Sequence, residues 1–324
     1  TEPVVSSPPE EASYALIELR PVSVSEDHRI VDDLDREVIL RGANVNSLGE
    51  YWQGDPDHEP TIPVSEDDWD EMAARGFSAI RLIINWSLVE PERGTFDEQY
   101  LDRVDAYVTA AADHGIYTVI DMHQDAYSAF IVTEDPSEYG EGTRPGKGWD
   151  GAPAWASITD GLSTCITGER NSAPAVEAAW NHFYNNTDGI RDEFSAAWGA
   201  VADRFAGRPE VAGYDILNEP EASMPAEELT PLYEATLADV IEAIRTAEED
   251  ADFDHVVIIE PAMPAAEFSR GIVNPDPARL GVNPANIVRP AQLRRVDHPG
   301  HPDRGYERGP GQRRRRCGCA GVDR

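Results

Sequence analysis

Asn218 and Glu219 stand between the apolar run 211–217 and Pro220. Pro220 cannot donate to a sheet ladder, so a strand entering this stretch must stop there. The pair then lies at a strand's carboxyl end, where parallel α/β folds gather their catalytic groups. Alone, Asn-Glu-Pro equally describes a turn with an exposed carboxylate. The ends of the other apolar runs decide between the two. Asn44 and Asn46, Arg81 and Trp86, His123 and Asp125, and Glu260 all stand in equivalent places. Such a set suits glycoside hydrolysis, which uses two carboxyl groups and donors that hold the sugar hydroxyls. Arg81 interrupts an apolar strand and needs a carboxylate partner if buried, with Glu219 the natural candidate. His123 falls in Asp-Met-His-Gln-Asp, directly behind an apolar run. No His-x-His or His-Glu-x-x-His spacing supports a metal, and no cofactor is expected.

The elements that must position these residues alternate. Strands are predicted over 38–45, 78–86, 117–123, 211–217, 255–260 and 286–288, and helices over 66–75, 98–114, 190–206 and about 226–249. Ser65 and Asp68 form a capping box at the first helix. The third and fourth helices carry Ile190, Phe194, Trp198, Val201 and Phe205, and Leu229, Tyr233, Leu237, Val240 and Ile244, at helical spacing. Near-continuous apolar strands alternating with amphipathic helices imply a parallel sheet covered by helices. No Gly-rich phosphate loop follows the first strand, so a (β/α)8 TIM barrel is expected over a nucleotide-binding doubly wound sheet. Short β-type runs between 22 and 40 predict a hairpin plugging one end of the barrel. Residues 126–189 show little periodicity and read as a long functional loop on the catalytic face. Its aromatics, Tyr127, Phe130, Tyr139, Trp149, Trp155, Trp180 and Tyr184, serve either a sugar or aglycone or the loop's own core. Asn185-Asn186-Thr187 is a glycosylation sequon.

The 324 residues carry a formal charge of −34 and a single lysine, Lys147. So acidic a surface excludes nucleic acid and anionic membranes as partners and suits high salt, where counterions screen self-repulsion. No apolar run approaches the roughly 20 residues of a membrane span, so no integral membrane segment is expected. Three cysteines, Cys165, Cys317 and Cys319, do not make a disulfide framework. Residues 1–13 read as a flexible leader rich in Pro, Ser and Glu. With the missing initial methionine it suggests an exported protein. The oligomeric state is left open.

The stretches Ile39–Val45, Arg81–Gly94, Ile120–Asp125, Gly151–Trp155 and Tyr214–Pro220 together resemble glycoside hydrolase family 5, in its endoglycoceramidase-like branch. The resemblance covers roughly residues 25–288. It implies a metal-independent retaining enzyme with Glu219 as general acid/base and Asn218 on the sugar's 2-hydroxyl. Arg81 would support the catalytic carboxylates, and His123 and Asp125 would line the glycone subsite. Implied substrates are β-glucosides or glycans linked to lipid, or β-glucans of the cellulose type.

The family's nucleophile, a Glu ending strand seven, and the Trp on strand eight find no counterpart in this sequence. Residues 289–324 instead hold ten Arg and four acidic residues, against 17 basic (27 − 10) and 57 acidic (61 − 4) in the first 288. Two readings follow: a basic tail for an acidic partner or nucleic acid, or a change of reading frame that cuts strand six. The second is preferred, because the break falls inside an element. A barrel over 14–288, incomplete after about strand six, is then expected to be inactive and prone to aggregate. A carbohydrate-binding pseudoenzyme, and an inverting enzyme with Asp125 or Glu260 as base, are the alternatives.

Overall fold

The computed structural model describes residues 18–50, 62–132, 150–165, 170–264, 273–283 and 285–288. The leader at 1–13, the Arg-rich segment 289–324, and Tyr139 and Trp149 lie outside the described residues.

The chain opens with an antiparallel hairpin of β1 (Val22–Val24) and β2 (Ile30–Asp32). Then follow β3 (Gly42–Val45), α1 (Glu66–Ala74), β4 (Ala79–Ile84), α2 (Trp86–Val89), α3 (Glu98–Asp113) and β5 (Tyr117–Met122). The second half runs α4 (Pro174–Tyr184), α5 (Ile190–Phe205), β6 (Val211–Asp215), β7 (Glu221–Ala222), α6 (Ala226–Ala247), β8 (Val256–Ile258), β9 (Met263–Pro264) and β10 (Ile287–Val288).

Six strands form one parallel sheet in the order β10-β8-β6-β5-β4-β3. Spatial order follows chain order without a reversal, as in a barrel; a doubly wound sheet would reverse at a switch point. Among the described residues β3 and β10 are its edges. The edge shows in β3, where Gly42, Ala43 and Asn44 are exposed, while every residue of β5 and β6 is buried. β7 and β9 pair in parallel just beyond the carboxyl ends of β6 and β8.

The helices form where their apolar spacing and caps direct. Ser65 Oγ accepts from the Asp68 N–H while the Asp68 carboxylate takes the Ser65 N–H, completing the expected box. Asp97 caps α3 by accepting from the Gln99 and Tyr100 amides. All five predicted apolar positions in each of α5 and α6 are buried.

The hairpin closes the amino end of the sheet. Val22 packs with Ala79, Tyr117, Val119, Ala212 and Val256, most of them near the strands' starts. Asn286 fastens it: Oδ1 accepts the Val24 N–H at 2.9 Å, and Nδ2 donates to the Asp254 carbonyl. The predicted strand 38–45 is shorter than expected, since only 42–45 pairs.

The reading of 126–189 as a long loop with little periodicity is corrected. It contains α4, which buries Ala175, Val176, Ala178, Ala179, Trp180, Phe183 and Tyr184 and leaves Glu177, Asn181 and His182 half-buried. Tyr127, Trp180, Phe183 and Tyr184 form one buried aromatic cluster, with ring centroids 5.1–6.3 Å apart along its contacts. These four serve the core, and Phe130 is exposed.

Candidate active site

Arg81 is the one charged residue in β4, and it is half-buried among carboxylates. Its Nε donates to Asp215 Oδ2 at 2.9 Å, and its Nη2 to Asn218 Oδ1 and Glu260 Oε1, both at 3.0 Å. Asp121 Oδ1 lies 3.0 Å from the same nitrogen. Burial alone would depress the guanidinium pKa. Asp121, Asp215 and Glu260 more than offset that and hold it above its ordinary value. The expected partner, Glu219, is not among these groups. Arg81 meets carboxylates whose side chains reach the network from β5, β6 and the end of β8.

The network extends to both sides. Asp121 Oδ2 lies 2.7 Å from His123 Nδ1, which fixes the imidazole beside the carboxyl end of β5. Burial opposes the charged imidazole, but Asp121 and then Asp150 raise the His123 pKa. Burial, joined by Asp121, pushes Asp215 up in spite of Arg81. Glu260 is also raised by burial, against the pull of the Glu219 N–H and Arg81.

Asn218 is buried and held on three sides. Its Oδ1 accepts from Arg81, its Nδ2 donates to the Gln124 carbonyl, and its N–H donates to Met122 O. Gln124 reciprocates, with Nε2 donating to the carbonyls of both Asn218 and Glu219. Glu219 is exposed and has φ +43°, a left-handed conformation that costs a non-glycine residue about 1–2 kcal/mol. The Glu219 side chain stands exposed at this turn, four residues beyond the end of β6.

Asp125 lies half-buried on the turn after β5, where its N–H meets Asp150 O at 3.2 Å. Asp150 is fully buried, and burial raises its carboxyl to about 7, with His123 opposing and Asp125 reinforcing. Beside it Asn85 accepts the Glu50 N–H and donates to the His123 carbonyl, and Glu50 accepts from Ser87 Oγ. Gly151, at φ +127°, joins these turns. Its carbonyl accepts the Ser87 N–H, and a β-carbon there would fall 2.4 Å from Tyr127 O.

Of the residues expected from sequence, Arg81, His123, Asn218, Glu219 and Glu260 meet directly or through Asp121, and Asp125 adjoins them through Asp150. Trp86 does not join them. It is buried against Trp155, Phe183 and Phe194, with its Nε1 donating to Glu90. Asn44 is exposed on the edge strand in register with Arg81, and Asn46 is half-buried. Asp121, Asp215, Asp150, Glu50 and Asn85 were missed. Asp121 and Asp215 carry the same signal as Arg81, one charge in an otherwise apolar strand. Among the described residues no group of three His, Cys, Asp or Glu forms a metal ligand set. The guanidinium occupies the centre of the carboxylates that come nearest to one.

A barrel-ordered sheet with Asn-Glu at the end of one strand, and Arg and His beside it, can be set against known proteins. The model of the cellulase family, glycosyl hydrolase family 5, matches residues 32–288. The chain belongs to that family. Endoglycoceramidase I of Rhodococcus hoagii is 31% identical over 195 residues, 59% of this chain and 35% of that protein. An endoglycoceramidase of Cyanea nozakii is 29% identical over 250 residues, covering 72% and 50%. A solved endogalactoceramidase structure is 38% identical with a TM-score of 0.77, over 83% of this chain and 59% of that one. Endo-glycoceramidase II from Rhodococcus sp. with a cellobiose-like imidazole is 32% identical with a TM-score of 0.60, covering 72% and 51%. The similarity therefore runs to the endoglycoceramidase-like branch. The chain spans about half or less of the length of the relatives it matches in sequence.

Proposed function

We propose that this active face belongs to a retaining β-glycosidase that releases a glycan from a lipid aglycone. Glu219 is its general acid/base. It protonates the leaving glycosidic oxygen and later takes a proton from the attacking water. Asn218 donates to the sugar's 2-hydroxyl, His123 and Asp125 hold the glycone, and Arg81 holds the carboxylates beneath them in place. The observation that carries this reading is the Arg81–Asn218 bond. It fixes the amide beside a carboxylate that the left-handed turn presents to solvent. The endoglycoceramidase relatives support a glycolipid substrate, and a lactosyl-enzyme intermediate of one of them supports retention. The acidic, nearly lysine-free composition suits a protein that works outside the cell in salt.

Retention needs a second carboxyl about 5 Å from the first. Glu260 turns both its oxygens to Arg81 and to the backbone of Glu219, so it fits neither that role nor the base of an inverting reaction. The family's nucleophile, on a seventh strand, is not among the described residues. Azide can take its place in a test. With 4-nitrophenyl β-glucoside and sodium azide, nitrogen attacks the anomeric carbon, the glycosidic C–O bond breaks, and Glu219 protonates the departing oxygen. The expected product is the α-glucosyl azide, at a rate cut at least tenfold by Glu219→Gln. Rescue indifferent to Glu219→Gln would sink the assignment. Hydrolysis by the chain without azide would show that it holds its own nucleophile.

A further inference from the structure

We propose that Glu260 is a positioning residue that clamps the backbone of Glu219 in its left-handed turn and so aims the acid/base carboxyl. This rests on the reading of Glu219 given above. Two donors converge on the Glu260 carboxylate: Glu219 N–H reaches Oε2 at 2.9 Å, and Arg81 Nη2 reaches Oε1 at 3.0 Å. Glu260 itself has little freedom. Its carbonyl accepts the hydroxyl of the buried Tyr233 on α6 at 2.6 Å. The Ile259 N–H before it is tied to Val288 O, and Pro261 follows.

The turn at Glu219 explains why such a clamp is needed. At φ +43° a glycine would sit without strain, but a glycine carries no carboxyl. The chain must hold a side chain in a conformation that side chains resist, so the surroundings must over-determine it. They do so from both ends of the residue. Gln124 Nε2 donates to the Glu219 carbonyl at 3.0 Å, and Glu260 takes the N–H. The Glu260 bond is charge-assisted and the stronger of the two. Arg81 in turn orients Glu260, so the guanidinium acts on Glu219 through it, with no direct contact. Nothing in the Asn-Glu-Pro stretch itself points to Glu260, 41 residues further on.

Amide exchange, followed by NMR on the full chain, tests the clamp without reference to turnover. Glu260→Ala should speed exchange of the Glu219 amide at least tenfold. The Asn218 amide, bonded to Met122 O, should keep its rate. Glu260→Gln retains one oxygen for the amide and should preserve most of the protection, which separates loss of the clamp from loss of the fold. Unchanged exchange at Glu219 in the alanine variant overturns the proposal. The azide-rescued reaction then reads the carboxyl. A displaced acid penalises a poor leaving group more than a good one. Glu260→Ala should therefore slow 4-methoxyphenyl β-glucoside at least tenfold more than 2,4-dinitrophenyl β-glucoside. Equal losses on both overturn its role in aiming Glu219. Absence of any rescue in the unaltered chain counts against the acid/base reading alone, and the exchange result still decides the clamp.

Discussion

Arg81 on β4 donates through Nε to Asp215 on β6 at 2.9 Å, reaching across the intervening β5. The same guanidinium faces Asp121 and Glu260, so one cation serves three carboxylates from three successive strands. Removing it leaves buried negative charge without compensation. Arg81→Met should cost about 3–5 kcal/mol at neutral pH, read as a shift in the urea midpoint. Acidification should narrow the gap as the carboxylates protonate. Arg81→Lys should recover only part of the loss, because an ammonium cannot serve the separate positions of Nε and Nη2.

Asp150 predicts a pH dependence of stability. Its carboxyl ionises near 3.8 when exposed and near 7 in the fold, where burial dominates and His123, Asp125, Asn85 and Glu50 face it. Between those values the native state binds more protons than the unfolded one, so this group's contribution falls as pH rises. His123 works in the same direction. Its raised pKa adds stability that is full below about 6.5 and is lost as pH climbs through the folded value. Relative to Asp150→Asn, the unaltered protein should lose on the order of 3–4 kcal/mol between pH 4 and 7. Paired urea titrations across that range measure it. A constant difference would refute the burial argument.

Gly151→Ala tests the junction of the turns. The added β-carbon would stand 2.4 Å from Tyr127 O and 2.7 Å from Gln124 Cβ, at a φ of +127°. Gln124 holds the Asn218 and Glu219 carbonyls, so the disturbance should travel to the acid/base turn. A loss of roughly 2 kcal/mol or more in stability should accompany weaker binding of a glucose-type imidazole inhibitor in calorimetric titration.

The charge of −34 predicts the response to salt. Raising NaCl from 50 mM to 2 M shortens the screening length and relieves self-repulsion. The thermal midpoint should rise over that range. A fold kept at 50 mM and lost at 2 M would reject salt adaptation.

Much of this was legible in sequence because burial and periodicity coincide in the strands and amphipathic helices. β4, β5 and β6 are short apolar runs that end in polar residues, and α5 and α6 bury one stripe each. Legibility failed where that coincidence breaks. The apolar spacing of α4 is masked by the long stretch around it, in which Gly and Pro recur. Trp86 closes a strand as a sugar-stacking residue would, yet its indole N–H is satisfied by Glu90 four residues later, inside an aromatic core. Arg81 was rightly read as needing a carboxylate. Which one depended on strand order and register, which place Asp121 opposite Asp215. Sequence adjacency to Asn218 pointed to Glu219 instead.

Asn286 carries a consequence for how the molecule is made. Its side chain closes the hairpin's Val24 amide, a residue 262 positions earlier. At roughly 5–20 residues per second, the ribosome emits the second partner on the order of ten to fifty seconds after the first. For that interval the apolar faces of Val22 and of the first strands wait without their final cover. Contacts so distant in sequence are slow to form and leave apolar surface exposed meanwhile. The hairpin, although it precedes the other described strands in the chain, should therefore be among the last of them to gain protection.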